Sequence, residues 1–250
     1  MASWKKKIAR GVLLSLGCKK LPCFFHGRLI WLAPKSWPGF RCDYESDIAG
    51  LMKNELRGAE WFVDVGAHFG LWSLYADRVL LGKKPIRAFE PSPAFSVLSK
   101  NVRGHDQLRI HRCAISNQRR KTVFYSQGMA TSGSVRESIT RINQKHQPQV
   151  AITGEEIECF TLDEMTRDLA GRGLVKIDCE GHEGKVLEGA QNNMDQGNDF
   201  MIEIHPPQLQ EEGDSSEKII QTLRNKGYEI QTVAGRESSI FTILARRPRT

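Results

Sequence analysis

The sequence predicts an α/β fold, a doubly wound and mostly parallel sheet with helices on both faces, and three observations carry that prediction. First, Trp61–Val65, Leu174–Ile177 and Phe200–Ile204 are apolar runs that barely alternate, the pattern of strands covered on both faces. Second, segments with helix-spaced apolar residues separate these runs, so strand and helix alternate along the chain. Third, the runs stop at acids or histidine beside glycine or proline: Asp64 before Gly66, Glu90 before Pro91, Asp178 and Glu180 before Gly181, His205 before Pro206. That places polar chemistry along the carboxyl edge of the sheet, where open α/β folds bind their ligands.

Taken in order, the chain begins with a basic extension over residues 1–42, and one large domain over residues 43–250 follows. Residues 1–35 hold eight of the 36 Lys and Arg residues and no Asp or Glu; the remainder has 28 basic and 29 acidic residues, a net of −1. The net charge of +7 therefore resides in the extension, which argues against a nucleic-acid surface on the domain body. Val12–Leu16 is too short to span a bilayer, and Arg10 interrupts it as a signal-peptide core. Two readings stay open for the extension: a basic helix or loop against the side of the domain, or an arm lying on an anionic membrane surface. The six cysteines (18, 23, 42, 113, 159 and 179) form no Cys-x-x-Cys pair, which fits reduced thiols and a cytoplasmic protein.

Asp43–Leu56 carries apolar residues at 48, 51, 52 and 56 with acids early in the run, which predicts an amphipathic helix lidding the first loop. Trp61–Val65 is the first strand, and Leu71–Leu80 the helix behind it. Ile86–Pro91 is the second strand, Ala94–Val102 a helix, and Leu108–Ile115 a single third strand closing at Ser116. Lys121–Tyr125 and Ile157–Thr161 pair as exposed strands. Between them Gln127–Thr153 is rich in Ser, Gly, Gln and Arg without periodicity, a long loop expected to act as a lid or acceptor-binding region. Thr161–Glu164 predicts a capped helix running through Leu169. Leu174–Gly181 is the fourth buried strand, Glu183–Ala190 a helix, Phe200–His205 the fifth strand and Ser215–Lys226 another helix. Tyr228–Val233 and Ile240–Leu244 close the fold as an antiparallel pair.

The loop after the first strand is the most informative stretch. Gly66 and Gly70 let its backbone approach a ligand closely, yet the Gly-x-x-x-Gly spacing is not the Gly-x-Gly-x-x-Gly that cradles a pyrophosphate. Asp64 sets a carboxylate before the turn, which suits an ammonium better than a phosphate. Glu90 ends the second strand 24 residues after Gly66, about where dinucleotide folds place the acid for a ribose diol. S-adenosylmethionine (SAM) fits the description of a ligand with a ribose and a cation but no phosphate.

With these blocks in place the chain resembles the FkbM-type, SAM-dependent O-methyltransferases of the class I fold. The resemblance rests on Phe62–Gly70, Ala88–Pro93, Ala114–Ser116, Thr161–Glu164, Val175–Glu183 and Ile202–His205, which occur in the family's order. It implies a Rossmann-like, seven-stranded sheet with an antiparallel last strand. It also implies SAM bound through Asp64, Gly66, Ala67, His68, Gly70, Glu90, Pro91, Ser116 and Asp178, and a hydroxyl acceptor on a sugar, glycan or natural product. His68 stands where the family commonly has Asn, and Cys179 where it has Val.

Transfer to an alcohol needs a base for the departing proton. Asp178 is expected to position the acceptor and His205 to act as that base, with Glu180 beside them. A divalent metal between Asp178, Glu180 and His205, Mg²⁺ or Mn²⁺ rather than zinc, is the alternative way to activate the hydroxyl. His205-Pro206-Pro207-Gln208 differs from the Asn/Asp-Pro-Pro-aromatic motif of amino-group methyltransferases in position and in lacking the aromatic. A nicotinamide-dependent oxidoreductase would share the sheet but needs the missing glycine pattern. A non-catalytic interaction protein on this fold would be expected to have lost Asp64 or Glu90.

Overall fold

The computed structural model describes residues 2–129, 133–143, 150–235 and 239–248. The N-terminal region consists of helix α1 (Ala2–Ser15) and strands β1 (Leu21–Phe25), β2 (Arg28–Leu32) and β3 (Arg41–Cys42), followed by α2 (Ala49–Gly58). The first βαβαβ half is β4 (Phe62–Val65), α3 (Leu71–Val79), β5 (Ile86–Phe89), α4 (Phe95–Asn101) and β6 (Leu108–His111). An excursion follows: β7 (Ala114–Ile115), β8 (Arg120–Ser126), α5 (Glu137–Asn143) and β9 (Thr153–Phe160). The second half is α6 (Leu162–Thr166), β10 (Leu174–Ile177), α7 (Glu183–Glu188), α8 (Gln191–Asp195) and β11 (Asp199–Ile204). It closes with α9 (Pro206–Glu211), α10 (Ser216–Asn225), β12 (Glu229–Gly235) and β13 (Phe241–Arg246).

Seven strands form the central sheet in the order β12-β13-β11-β10-β4-β5-β6. The pairs from β11 through β6 are parallel, and β13 runs antiparallel to both of its neighbours. This is the expected doubly wound sheet with its antiparallel last strand. From β4 the chain winds outward to β5 and β6, then returns to lay β10 and β11 on the other side, so the switch point lies between β4 and β10. All four residues of β4, β5 and β10 are buried, as the apolar runs predict.

Alternate residues of the sheet feed two cores. Phe62, Ile86, Ala88, Leu174 and Met201 face one side, packing with α2, α3 and α4; Val63, Val65, Phe89, Val175, Phe200 and Ile202 face the other. The first core also contains Leu21, Cys23, Phe25, Ile30, Leu32, Trp37 and Cys42 from the N-terminal strands. Phe25 meets Trp72 and Tyr75 of α3 edge-on, with ring centroids 5.1 and 5.7 Å apart. In packing, then, residues 21–42 are continuous with the domain that was expected to begin at residue 43, and α1 is the outlying part of the extension.

Several element boundaries differ from those the sequence suggests. The expected single strand over residues 108–115 divides: β6 ends the central sheet, and β7 joins a separate sheet of order β7-β9-β8. Ser116 N–H donates to the Phe160 carbonyl at 2.8 Å there, so the chain has changed partners within five residues of the end of β6. The expected capping box forms between Thr161 and Glu164, yet α6 stops at Thr166 rather than continuing through Leu169. The Arg87 guanidinium donates to the Met165 carbonyl and to the Asp168 carboxylate, occupying the acceptor that a further turn would use. The helix expected from Asp43 begins only at Ala49, because Glu45 adopts positive φ (52°). The long loop Gln127–Thr153 contains α5; residues 130–132 and 144–149 of it lie outside the described residues.

Candidate active site

The glycine loop is fixed by contact between the two strands at the switch point. Gly66 has φ of +83°, and a Cβ there would lie 1.8 Å from the carbonyl oxygen of Asp178, so only glycine lets the ends of β4 and β10 approach this closely. The Gly66 and Ala67 N–H groups both donate to the Phe89 carbonyl at 3.0 Å, which ties the loop to the end of β5. Glu90 completes the tie: one carboxylate oxygen accepts from His68 N–H at 2.7 Å and the other from Ser92 N–H at 2.8 Å. His68 itself has φ of +48°, and its ring lies 3.7 Å from that of Phe69. Gly70 ends the turn in the left-handed region and caps α3.

Asp64 is buried behind this loop and accepts from Ser73 Oγ–H of α3 at 2.5 Å. Burial pushes its carboxyl up to about 6, against the opposing pull of the Lys176 ammonium and the Ser73 hydroxyl.

A cavity of about 540 Å³ opens over these strand ends, within the range of small-ligand sites. Asp64, Gly66, Ala67, His68, Glu90 and Pro91 line one part of it. Asp178, Glu180, His205 and two residues without an expected role, Lys176 and Glu203, line another. Gly70 and Ser116 are not among the lining residues. Gly70 acts through packing, since a Cβ there would lie 2.4 Å from Leu98. Ser116 is fully buried with its hydroxyl 3.0 Å from His182 Nε2.

The second group is an alternating charge network. Lys176 Nζ–H donates to Asp178 Oδ2 at 2.9 Å. Burial opposes the Lys176 charge, but Asp178, Glu45, Asp64 and Glu203 outweigh it and hold the ammonium well above its ordinary value. Burial likewise opposes the Asp178 charge, and Lys176 and His205 prevail, holding this carboxyl below its ordinary value. Glu203 moves the other way: burial and the Asp178 charge push it up to about 8. Two acids side by side are thus driven apart, one ionised and one retaining a proton at neutral pH.

His205 differs from its expected role. Its Nδ1 lies 2.8 Å from the fully buried Glu183 carboxylate, and its Nε2 lies 3.9 Å from Asp178 and 3.8 Å from Glu180. Burial works against its charge, yet the Glu183 hydrogen bond and the surrounding carboxylates push His205 up to about 10. This environment favours the imidazolium, a hydrogen-bond donor rather than a base.

Among the described residues, the set able to offer three ligand atoms to a metal is Asp178, Glu203 and His205, with Glu203 in the place expected for Glu180. It fits a divalent ion poorly, because the buried Lys176 ammonium already neutralises Asp178 and would stand beside the ion.

Sequence reasoning missed Lys176, Glu203 and Glu45. Lys176 and Glu203 are each the one charge inside an apolar strand run, a visible signal of a functional burial. Glu45, whose carboxylate accepts from Trp72 Nε1–H, sits in the turn that was expected to be helical.

Against known proteins, the family model described as methyltransferase FkbM domain matches residues 64–230. The 31-O-demethyl-FK506 methyltransferase FkbM of Streptomyces tacrolimicus is 33% identical over 162 residues, which cover 55% of this chain and 62% of that protein. The chain thus matches less than two thirds of that relative's length. Among solved structures, a methyltransferase FkbM from Methylobacillus flagellatus is 15% identical with a TM-score of 0.48, covering 75% of this chain and 43% of that one. A SAM-dependent O-methyltransferase from Thermotoga maritima is 10% identical with a TM-score of 0.48, covering 83% of this chain and 66% of that one.

Proposed function

Since the chain belongs to the FkbM methyltransferase family, we propose that it transfers the methyl group of SAM to a hydroxyl oxygen of a sugar, glycan or natural-product acceptor. The observation that carries this reading is the shared cavity: a phosphate-free glycine loop with Asp64 and Glu90 lines one part, and the Asp178–Glu203 carboxyl pair lines another. The relative's name specifies an oxygen acceptor, 31-O-demethyl-FK506, which supports oxygen as the atom methylated.

SAM supplies an electrophilic methyl on a sulfonium, and methyl transfer needs the acceptor oxygen held in line with the carbon–sulfur bond. Asp64 offers a carboxylate to the ammonium, and Glu90, already oriented by the two backbone N–H groups of 68 and 92, offers its remaining lone pairs to the ribose hydroxyls. Asp178, ionised and held by Lys176, accepts the hydrogen bond of the acceptor hydroxyl and aims its oxygen. As the new carbon–oxygen bond forms and the carbon–sulfur bond breaks, leaving the sulfur as a neutral thioether, the hydroxyl proton would pass to the carboxyl pair once Glu203 has ionised. Lys176 and His205 are fixed cations that keep the extra negative charge tolerable in a buried site.

The test is incubation with isotope-labelled SAM and fractionated cell extracts, followed by mass spectrometry of what gains a methyl. Label on a hydroxyl-bearing small molecule or glycan is the expected result; label confined to nucleic acid or protein amines would overturn it. Calorimetry with SAM and with NAD, binding only the former, excludes the oxidoreductase alternative.

A further inference from the structure

The strongest feature outside the cavity is the N-terminal surface. Of the thirteen large hydrophobic residues exposed among the described residues, ten lie between positions 4 and 44: Trp4, Ile8, Val12, Leu14, Leu16, Phe24, Leu29, Trp31, Phe40 and Tyr44. Soluble surfaces scatter such residues singly, whereas clusters mark interaction sites.

Their arrangement is ordered. Trp4, Ile8 and Val12 recur every four residues of α1, so they form one stripe along the helix. The core-facing side of α1 is a different one, formed by Ala9 and Leu13, which pack against the domain. The β1–β2 hairpin repeats the pattern: Cys23, Phe25, Ile30 and Leu32 point into the core, while Phe24 and its cross-strand partner Leu29 are exposed, as is Trp31. Lys5, Lys7, Arg10, Lys19 and Lys35 are exposed among these side chains, and no acid occurs before Asp43.

We propose that this N-terminal surface docks the protein on an anionic lipid bilayer. Charge complementarity selects the partner: the apolar stripe of α1 lies among Lys5, Lys7 and Arg10 with no acid before Asp43, and with aromatic residues at intervals it matches the headgroup boundary of a negatively charged leaflet. Among the described residues no helix is long and apolar enough to cross a membrane, so the contact is peripheral. Ser36, Pro38 and Tyr44, which line the cavity, belong to the same stretch of chain. Tyr44 is thus shared, exposed in this patch and lining the cavity. The inference stands independently of the methyl-transfer reading, since it concerns a surface and not the reaction.

The experiment is co-sedimentation of the full chain with phosphatidylcholine vesicles, with and without phosphatidylglycerol. Binding is expected only to the anionic vesicles. Replacing Lys5, Lys7 and Arg10 by Gln should weaken it by about two orders of magnitude, from a factor of about five per charge near the surface. Trp4→Ser with Ile8→Ser should weaken it as well, and because these side chains are exposed the melting temperature should not change. Equal sedimentation with neutral and anionic vesicles, or none with either, overturns the proposal. So does a wild-type dimer that the Trp4 and Ile8 substitutions convert to monomer without anionic-vesicle binding, since the face would then join two copies of the chain.

Discussion

His205 Nδ1 lies 2.8 Å from the Glu183 carboxylate, and both side chains are buried. Glu183 opens α7 and also accepts from Gly181 N–H at 2.9 Å, so the acid is held in place by the turn that carries Glu180. A histidine gripped in this way favours its cationic form at neutral pH beneath the Asp178–Glu203 pair, and its positive charge lowers the proton affinity of both.

This assigns the pH dependence. Turnover should rise with pH through a midpoint near 8 as Glu203 ionises. Replacing His205 with Gln removes a charge that lowers Glu203, so the limb should persist and move to higher pH; if the limb vanished in that variant, His205 would be the base after all. Glu203→Gln should abolish the limb and lower turnover by about 10²–10⁴-fold, the usual effect of removing a general base.

The same shifts set the stability profile. Asp64, Glu203 and His205 all have native values raised above their ordinary ones, so each stabilises the fold fully below its unfolded value and loses that contribution as pH rises through the native value. For His205 the window runs from its ordinary value near 6.5 to about 10. The melting temperature of the ligand-free protein should therefore fall between pH 6.5 and 10. Glu183→Gln should flatten that fall, and thermal scans at several pH values of both proteins decide the matter.

Glu90→Ala should weaken SAM binding by ~1.5–3 kcal/mol, the scale of hydrogen bonds to a charged group. The same substitution frees His68 N–H and Ser92 N–H, so faster amide exchange of the 66–70 loop should accompany it. Unchanged SAM affinity by titration would reject the ribose assignment.

Dialysis against EDTA should leave methyl transfer intact, because Lys176 already supplies the positive charge beside Asp178. Activity that disappears and returns with Mg²⁺ would show that Asp178, Glu203 and His205 hold a metal despite it.

The sequence made legible what depends on strand ends. Asp64, Glu90, Asp178 and His205 stop apolar runs, and the parallel sheet then aligns those stops along one edge, so their convergence followed from topology. The proton affinities did not, because they depend on which charges tertiary packing brings within a few ångströms. Glu183 reaches His205 only through the turn in which Glu180 and Gly181 both adopt positive φ. Lys176 and Glu203 stood out as charges inside apolar runs, but which carboxylates they would meet depended on the neighbouring strands. The β1–β2 hairpin carried a readable signal in His26-Gly27, both at positive φ between alternating runs, the geometry of a tight two-residue turn. Residues 108–115 read as one strand because nothing local marks a change of sheet; only β9, more than forty residues later, draws β7 away.

Asp64 has one more consequence. With its native value at about 6, part of the ligand-free population carries a proton on this buried carboxyl in mildly acidic solution. A cationic ligand arriving beside it favours the ionised form and expels that proton to the buffer. Ligand capture should thus acidify its surroundings near pH 6, and Asp64→Asn should remove that release. Calorimetric titrations at this pH in two buffers of unlike ionisation enthalpy would read it directly: the apparent heats should diverge for the native protein and draw together for the variant.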